Sequence, residues 1–208
     1  MPTINPGEAA RVEARMSSKR RLLACAASVV LGALVPAAAH ALDLRALMSL
    51  LAKTKEGRAT FVEERHVNGF DSALRTSGEL YFKAPDVFER RALKPAAESM
   101  LVNGNQMTLA RGGTKRTMAL DAAPEAQAIV GAIRGTLTGD AATLERYFKV
   151  GLSGAAEEWL LDLQPLDAQL QANVRNVQLR GRQGVVESVE IWFASGDRSV
   201  MTIRGTSP

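Results

Sequence analysis

Between residues 60 and 204 the chain is a succession of short segments in which apolar residues recur at every second position. The succession is broken once, between Asp121 and Arg146, by a stretch in which they recur every third or fourth. Period two places successive side chains on opposite faces of a strand, and period 3.6 places them on one stripe of a helix. The segments at 60–67, 78–83, 116–120, 147–152, 159–163, 174–180, 185–193 and 200–204 therefore read as strands. Those at 100–102 and 107–109 flank Asn103-Gly104-Asn105, the signature of a hairpin. In the interruption, Ala126, Ile129, Val130 and Ile133 form an amphipathic helix with Pro124 near its first turn, and Gly135 and Gly139 end it. Asp140 caps a second short helix through Ala141, Leu144 and Tyr147.

A further helix precedes the strands. Leu44, Leu47, Met48 and Leu51 follow i, i+3, i+4, i+7 spacing, which predicts a helix from 43 to about 55 with Asp43 as N-cap and Gly57 as stop. The expected domain is mainly β with helices, an α+β fold in one piece. An antiparallel sheet this large exposes its edges unless it curls or is covered, and the helical insertion is the natural cover. A curled sheet with helices over its concave face encloses an apolar cavity, which suits ligand binding.

Composition matters mainly for what precedes this domain. Lys19-Arg20-Arg21, an apolar run to Val35, Pro36 and the ending Ala39-His40-Ala41 have the form of a secretory signal peptide cleaved after Ala41. The run is short of the ~20 apolar residues a spanning helix needs. Met16 is a second candidate start, directly ahead of the basic cluster. Cys25 stands too close to the arginines for a lipobox, and Arg20-Arg21 does not separate Tat from Sec export. The domains are thus 1–41, a signal region, and 42–208, a single exported domain. The whole chain carries a formal charge of +4, but 42–208 holds 21 Lys/Arg against 20 Asp/Glu, no cysteine and one histidine, His66. Exported to the periplasm without disulfides, this domain must stand on its core.

The function classes narrow quickly. One histidine and no cysteine give no metal cluster and no thiol nucleophile. Gly-x-Ser-x-Gly, the P-loop and Gly-x-Gly-x-x-Gly are missing from the sequence. A serine–histidine–acid set around His66 is a third-rank reading, with a solvated role for His66 preferred. A net charge of +1 supplies little counterion release, which argues against a nucleic-acid partner. No cofactor, metal or catalytic residue is assigned.

The order of motifs carries a resemblance. Phe61-x-Glu63, Gly78-Glu79-Leu80-Tyr81-Phe82-Lys83-Ala84-Pro85-x-x-Phe88, Pro95 and Met100-Leu101-Val102-x-Gly104 resemble the LolA-type periplasmic carriers of outer-membrane lipoproteins. Trp159-Leu160-Leu161-Asp162-Leu163-Gln164-Pro165 and the strands at 185–193 and 200–203 are similar to that family's second half. The resemblance implies an unclosed, strongly curved antiparallel β-barrel with a helical lid, binding acyl chains without enzymatic activity. It implies a monomer that takes an acylated lipoprotein or lipid from an inner-membrane exporter to an outer-membrane acceptor. The implied cavity residues are Leu80, Phe82, Phe88 and Leu101 on the first strands, and Leu161 and Leu163 on a later one. Leu47 and Leu51 on the first helix and Ile129 and Ile133 on the lid complete the set.

Two positions depart from the family. Its lid-latching arginine, directly before Pro85, is Ala84 here, and its aromatic two residues after Phe88 is Arg90. A guanidinium in an apolar cavity costs on the order of several kcal/mol unless paired. Arg90 is therefore a candidate for the latch, for an anionic headgroup contact, or for a water-filled mouth. The rival reading is a structural or interaction module whose barrel is filled by its own side chains.

Overall fold

A computed structural model of the chain describes residues 42–122 and 124–205. The expected signal region, 1–41, lies outside the described residues. Helix α1 (Leu44–Leu51) starts where the sequence places it: the Asp43 carboxylate accepts from the Ala46 N–H at 2.6 Å. It buries Leu47, Met48 and Leu51 and closes at Ala52. The expected stop at Gly57 is displaced, because that residue already belongs to the first strand, β1 (Glu56–His66).

The strands that follow are β2 (Leu74–Lys83), β3 (Val87–Lys94), β4 (Glu98–Asn103), β5 (Gln106–Arg111) and β6 (Thr114–Ala119). After the helical insertion come β7 (Phe148–Ala155), β8 (Glu158–Pro165), β9 (Val174–Arg182), β10 (Val185–Phe193) and β11 (Arg198–Gly205). All pair antiparallel in one sheet of eleven, in the order β6-β5-β4-β3-β2-β1-β11-β10-β9-β8-β7. The two edges, β6 and β7, do not pair with each other, so the sheet is unclosed. In the β4–β5 hairpin Asn103 pairs with Gln106, leaving Gly104-Asn105 as a two-residue turn with Gly104 at φ 56°. That is the form glycine at the first central position favours.

The insertion joins the two edges. A short 3-10 turn (Leu120–Ala122) leads to α2 (Pro124–Thr138), then α3 (Ala141–Tyr147). α2 runs through Gly135, contrary to the sequence expectation, and stops at Gly139. Gly135 lies against Leu144 of α3, where an added Cβ would stand 3.0 Å from the leucine Cγ, so its smallness serves packing. Gly139 has φ 72°, and an added Cβ would fall 2.2 Å from the Met48 carbonyl oxygen. That position needs both the left-handed backbone and the missing side chain. Asp140 then caps α3, accepting from the Thr143 N–H at 3.1 Å and from its hydroxyl at 2.5 Å. A fourth helix, α4 (Ala168–Gln171), connects β8 to β9 and has no counterpart in the sequence reading.

The sheet must curl to meet α2. Laid flat, eleven strands at ~4.8 Å separation would hold their edges about 48 Å apart, whereas a helix of fifteen residues is only about 22 Å long. Yet α2 packs against residues from both halves of the sheet. Val130 joins Val102, Met107 and Leu120 in one core cluster, while Ala128 and Ala132 join Leu161, Leu163 and Val177 in another. The register carries one face around the whole curve. Phe61 lies opposite Gly78 and Ile203, Phe82 opposite Phe88, Phe88 opposite Val102, and Val189 opposite both Met201 and Leu179. This helix-facing side is the concave one.

Candidate functional site

The concave face is not uniformly covered. Over β8 and β9, helices α1, α2, α3 and α4 lie on Trp159, Leu161, Leu163, Val174, Val177 and Leu179 and bury them. Trp159 is anchored there by its indole N–H, which donates to the Gln183 carbonyl at 3.0 Å. Over β1, β2, β3 and β11 the cover thins. Leu80, Phe88, Met201 and Ile203 face inward by register, remain half-buried, and belong to neither core cluster. Ile133 of α2 is likewise half-buried and outside both clusters. These strand residues make up the apolar part of the concave face that neither core cluster takes in.

The other cavity residues expected from sequence divide by location. Phe82 faces inward beside Phe88 and is buried. Leu47, Leu51, Leu161 and Leu163 are packed against one another in the larger core cluster, with Ile129 half-buried against it. Leu101 is corrected outright. It pairs with Glu89 and Thr108 on the convex face and is 37% exposed, while its neighbour Val102 points inward. Register decides this, since a shift of one residue exchanges the faces of a strand.

Polar chemistry enters the concave face beside these apolar residues. Arg90, opposite Leu80 and Met100, reaches across to Glu63 on β1 and donates from Nη2 to Glu63 Oε2. The Ser199 hydroxyl donates to the other Glu63 oxygen at 2.6 Å. The guanidinium stacks over the Phe61 ring, 4.6 Å from its centre. The arginine and glutamate side chains are 24% and 20% exposed, so both are largely withdrawn from water yet reachable. Pairing, hydrogen bonding and stacking together answer the cost that an arginine on this face raises. Arg90 thus contacts the sheet and makes no hydrogen bond to the lid among the described residues.

Farther along β1, Arg65 donates to Asp197 at 2.9 Å and lies over the Phe193 ring. The Asn68 N–H donates to the same carboxylate at 3.1 Å, and this bond, followed by the arginine contact, holds the Asp197 pKa below its ordinary value. Along β1 the inward positions therefore run from apolar (Ala59, Phe61) to charged (Glu63, Arg65).

The lid is fastened by a residue the sequence reading did not single out. Arg134 of α2 donates from Nη2 to the carbonyls of Asp86, at 2.9 Å, and of Gly104. These carbonyls sit in the β2–β3 and β4–β5 turns, so one guanidinium ties the helix to the strands on the open side. Burial lowers the pKa of this arginine, and its Nε has no hydrogen-bond partner among the described residues. No local signal marks Arg134, because its partners are backbone atoms 30 and 48 residues away in sequence. His66, the sole candidate for a nucleophile's base, is exposed at the end of β1 with no hydrogen bond among the described residues.

A recess of about 520 Å³ lies on the opposite face, lined by Thr60, Arg75, Ser77, Glu79, Thr202 and Arg204 among others. Val62, Glu64, Leu93 and Val200 also line it. Among the described residues no helix is long and apolar enough to cross a membrane, and no group of three or more His, Cys, Asp or Glu could hold a metal ion.

An unclosed, curled antiparallel sheet with helices across its concave face is a carrier-type fold. The chain belongs to the outer membrane lipoprotein carrier protein LolA-like family, whose sequence model matches residues 36–207. No curated protein matches it. Among solved structures it is similar to a LolA superfamily protein from Nitrosomonas europaea, at 10% identity over 80% of this chain and 95% of that one, with a TM-score of 0.44. It is also similar to a DUF1329 family protein from Desulfovibrio piger, at 10% identity over 77% and 88% of the two chains and a TM-score of 0.41. The MucA/MucB complex of Pseudomonas aeruginosa gives 15% identity over 80% of this chain and 59% of that one, with a TM-score of 0.41.

Proposed function

We propose that the protein is a periplasmic carrier that shelters acyl chains of a lipoprotein or lipid beneath its helical lid and shuttles them towards the outer membrane. The observation that carries this reading is the half-buried apolar set of Leu80, Phe88, Met201 and Ile203, inward by register and packed into neither core cluster. Each methylene buried is worth about 0.8 kcal/mol, so one long chain gains on the order of 10 kcal/mol before ordering costs. Release requires the lid to move, and Arg134 is the contact that must break. Binding and release need no bond-breaking chemistry, so the protein acts as a carrier without catalysis. It works as a monomer between an inner-membrane exporter and an outer-membrane acceptor, after export directed by residues 1–41.

The test is binding of the neutral probe N-phenyl-1-naphthylamine, together with mass spectrometry of lipid that co-purifies with the protein from the periplasm. The wild type is expected to enhance probe fluorescence saturably. Phe88→Glu, which puts a charge in that apolar set, is expected to abolish the enhancement while leaving the far-ultraviolet circular dichroism of the sheet unchanged. A protein that binds no probe and carries no lipid would instead be an interaction module with a filled barrel.

A further inference from the structure

The concave face holds an ion pair whose two members are unequally satisfied. Glu63 uses both carboxylate oxygens, one on Arg90 and one on the Ser199 hydroxyl. Arg90 uses one nitrogen, Nη2; its Nε–H and Nη1–H groups have no partner among the described residues. The guanidinium lies over the Phe61 ring, with Leu80 and Met100 opposite Arg90 in register. Its free donors thus border these apolar residues. The site offers hydrogen-bond donors, but its charge is already cancelled by Glu63.

Such a site discriminates by charge. A ligand oxygen that accepts hydrogen bonds without carrying a full charge, such as an ester or amide carbonyl, gains the Arg90 donors at little electrostatic cost. A carboxylate or phosphate gains the same donors but is held close to the Glu63 carboxylate in a partly dehydrated place, where like charges repel strongly. Resting on the carrier reading above, we infer that Glu63 is the specificity determinant of this site. It admits acyl ligands whose polar group beside the chain is an uncharged ester or amide, and it turns away free fatty acids and other anionic single-chain amphiphiles. Arg90 supplies the hydrogen bonds, and Glu63 sets the sign of what they accept.

Palmitic acid and its methyl ester differ only in headgroup charge, which makes them the probes of choice. Each is titrated against bound N-phenyl-1-naphthylamine at about pH 8, where a carboxylic acid is ionised. For the wild type the methyl ester is expected to displace the dye at a concentration at least about tenfold lower than the acid does. Glu63→Gln keeps a carbonyl oxygen to accept from Arg90, turns its NH2 to the Ser199 hydroxyl oxygen, which can accept, and removes the negative charge. It is expected to strengthen displacement by palmitic acid about tenfold and to leave the methyl ester within about twofold. Equal displacement by acid and ester in the wild type overturns the inference, whatever the variant does, and so does a Glu63→Gln protein that is folded by circular dichroism yet keeps the wild-type preference. Failure of the wild type to bind the neutral dye at all is a different result, which removes the carrier reading and this inference with it.

Discussion

The two halves of the sheet start from the same kind of sequence and end in different states. β8–β9 and β1–β3 both turn apolar residues to the concave side, but in the second set Glu63, Arg65 and Arg90 interrupt them. In the first half Leu161 and Leu163 are 0% exposed and Trp159 is 1% exposed, with four helices supplying the cover. In the second, Leu80 and Phe88 stay half-buried and an arginine–glutamate pair stands among them. The filled half resembles the interior of any stable domain, and the open half resembles a binding surface that has kept its apolar area available. On the function proposed above, stability and ligand binding fall to different strands of one sheet. The division can be probed one residue at a time.

The largest expected effect on stability belongs to the filled half. Leu161→Ala leaves a void under α1 and α2 and is expected to cost about 2–5 kcal/mol in urea unfolding. Leu80→Ala, the same chemical change in the open half, is expected to cost about 1 kcal/mol or less because little packing is lost. It should nevertheless weaken dye binding clearly. If the two leucines prove equally costly to stability, the comparison between the halves fails.

Next come the two devices that hold the lid. Arg134→Met removes the tie between α2 and the turns at Asp86 and Gly104. Charge-assisted hydrogen bonds of this kind are worth about 1.5–3 kcal/mol. Dye exchange and amide hydrogen exchange in α2 should therefore accelerate about ten- to a hundredfold, with the sheet's own protection unchanged. Gly139→Ala places a Cβ 2.2 Å from the Met48 carbonyl oxygen on a residue with φ 72°. At least about 1–2 kcal/mol of destabilisation is expected from the left-handed backbone alone, measured as a lower urea midpoint.

The smallest effect concerns acid. Thr143 hydroxyl and N–H bonds hold the Asp140 pKa below its ordinary 3.8, and the Asn68 N–H does the same for Asp197. A depressed carboxylate pKa means the folded state favours the ionised form. These contributions are therefore complete above the ordinary value and are lost as pH falls through the lowered one. Asp140→Asn keeps a capping oxygen, so stability at neutral pH should change by only a few tenths of a kcal/mol. The dependence of stability on pH below the ordinary carboxylate range should flatten by that group's share, as followed by urea unfolding at a series of acidic pH values.

How much of this was legible in advance depends on the range of the interactions concerned. Asp43 and Asp140 were readable as caps, because a cap acts over three residues. The inward set of Leu80, Phe82, Phe88, Leu161 and Leu163 was readable from parity. Leu101 was not, because Met100, Leu101 and Val102 are all apolar and either face satisfies the pattern; pairing with β3 and β5 made the choice. β3 was missed as a strand because Glu89, Arg90 and Arg91 interrupt its apolar residues. Those charges are tolerable only once Glu63 and the cross-strand Glu79 stand beside them. Arg134 had no local mark at all.

The sequence by itself determined the strands' alternating faces, the place of the helical insertion and the two aspartate caps, because each rests on contacts within a few residues. Only the tertiary structure decided which apolar residues would be sealed and which left open. It also decided that Arg90 would find Glu63 and that Arg134 would find two turn carbonyls. Those outcomes depend on strands β1, β3 and β11 being wrapped against one helix, and no local propensity encodes that proximity.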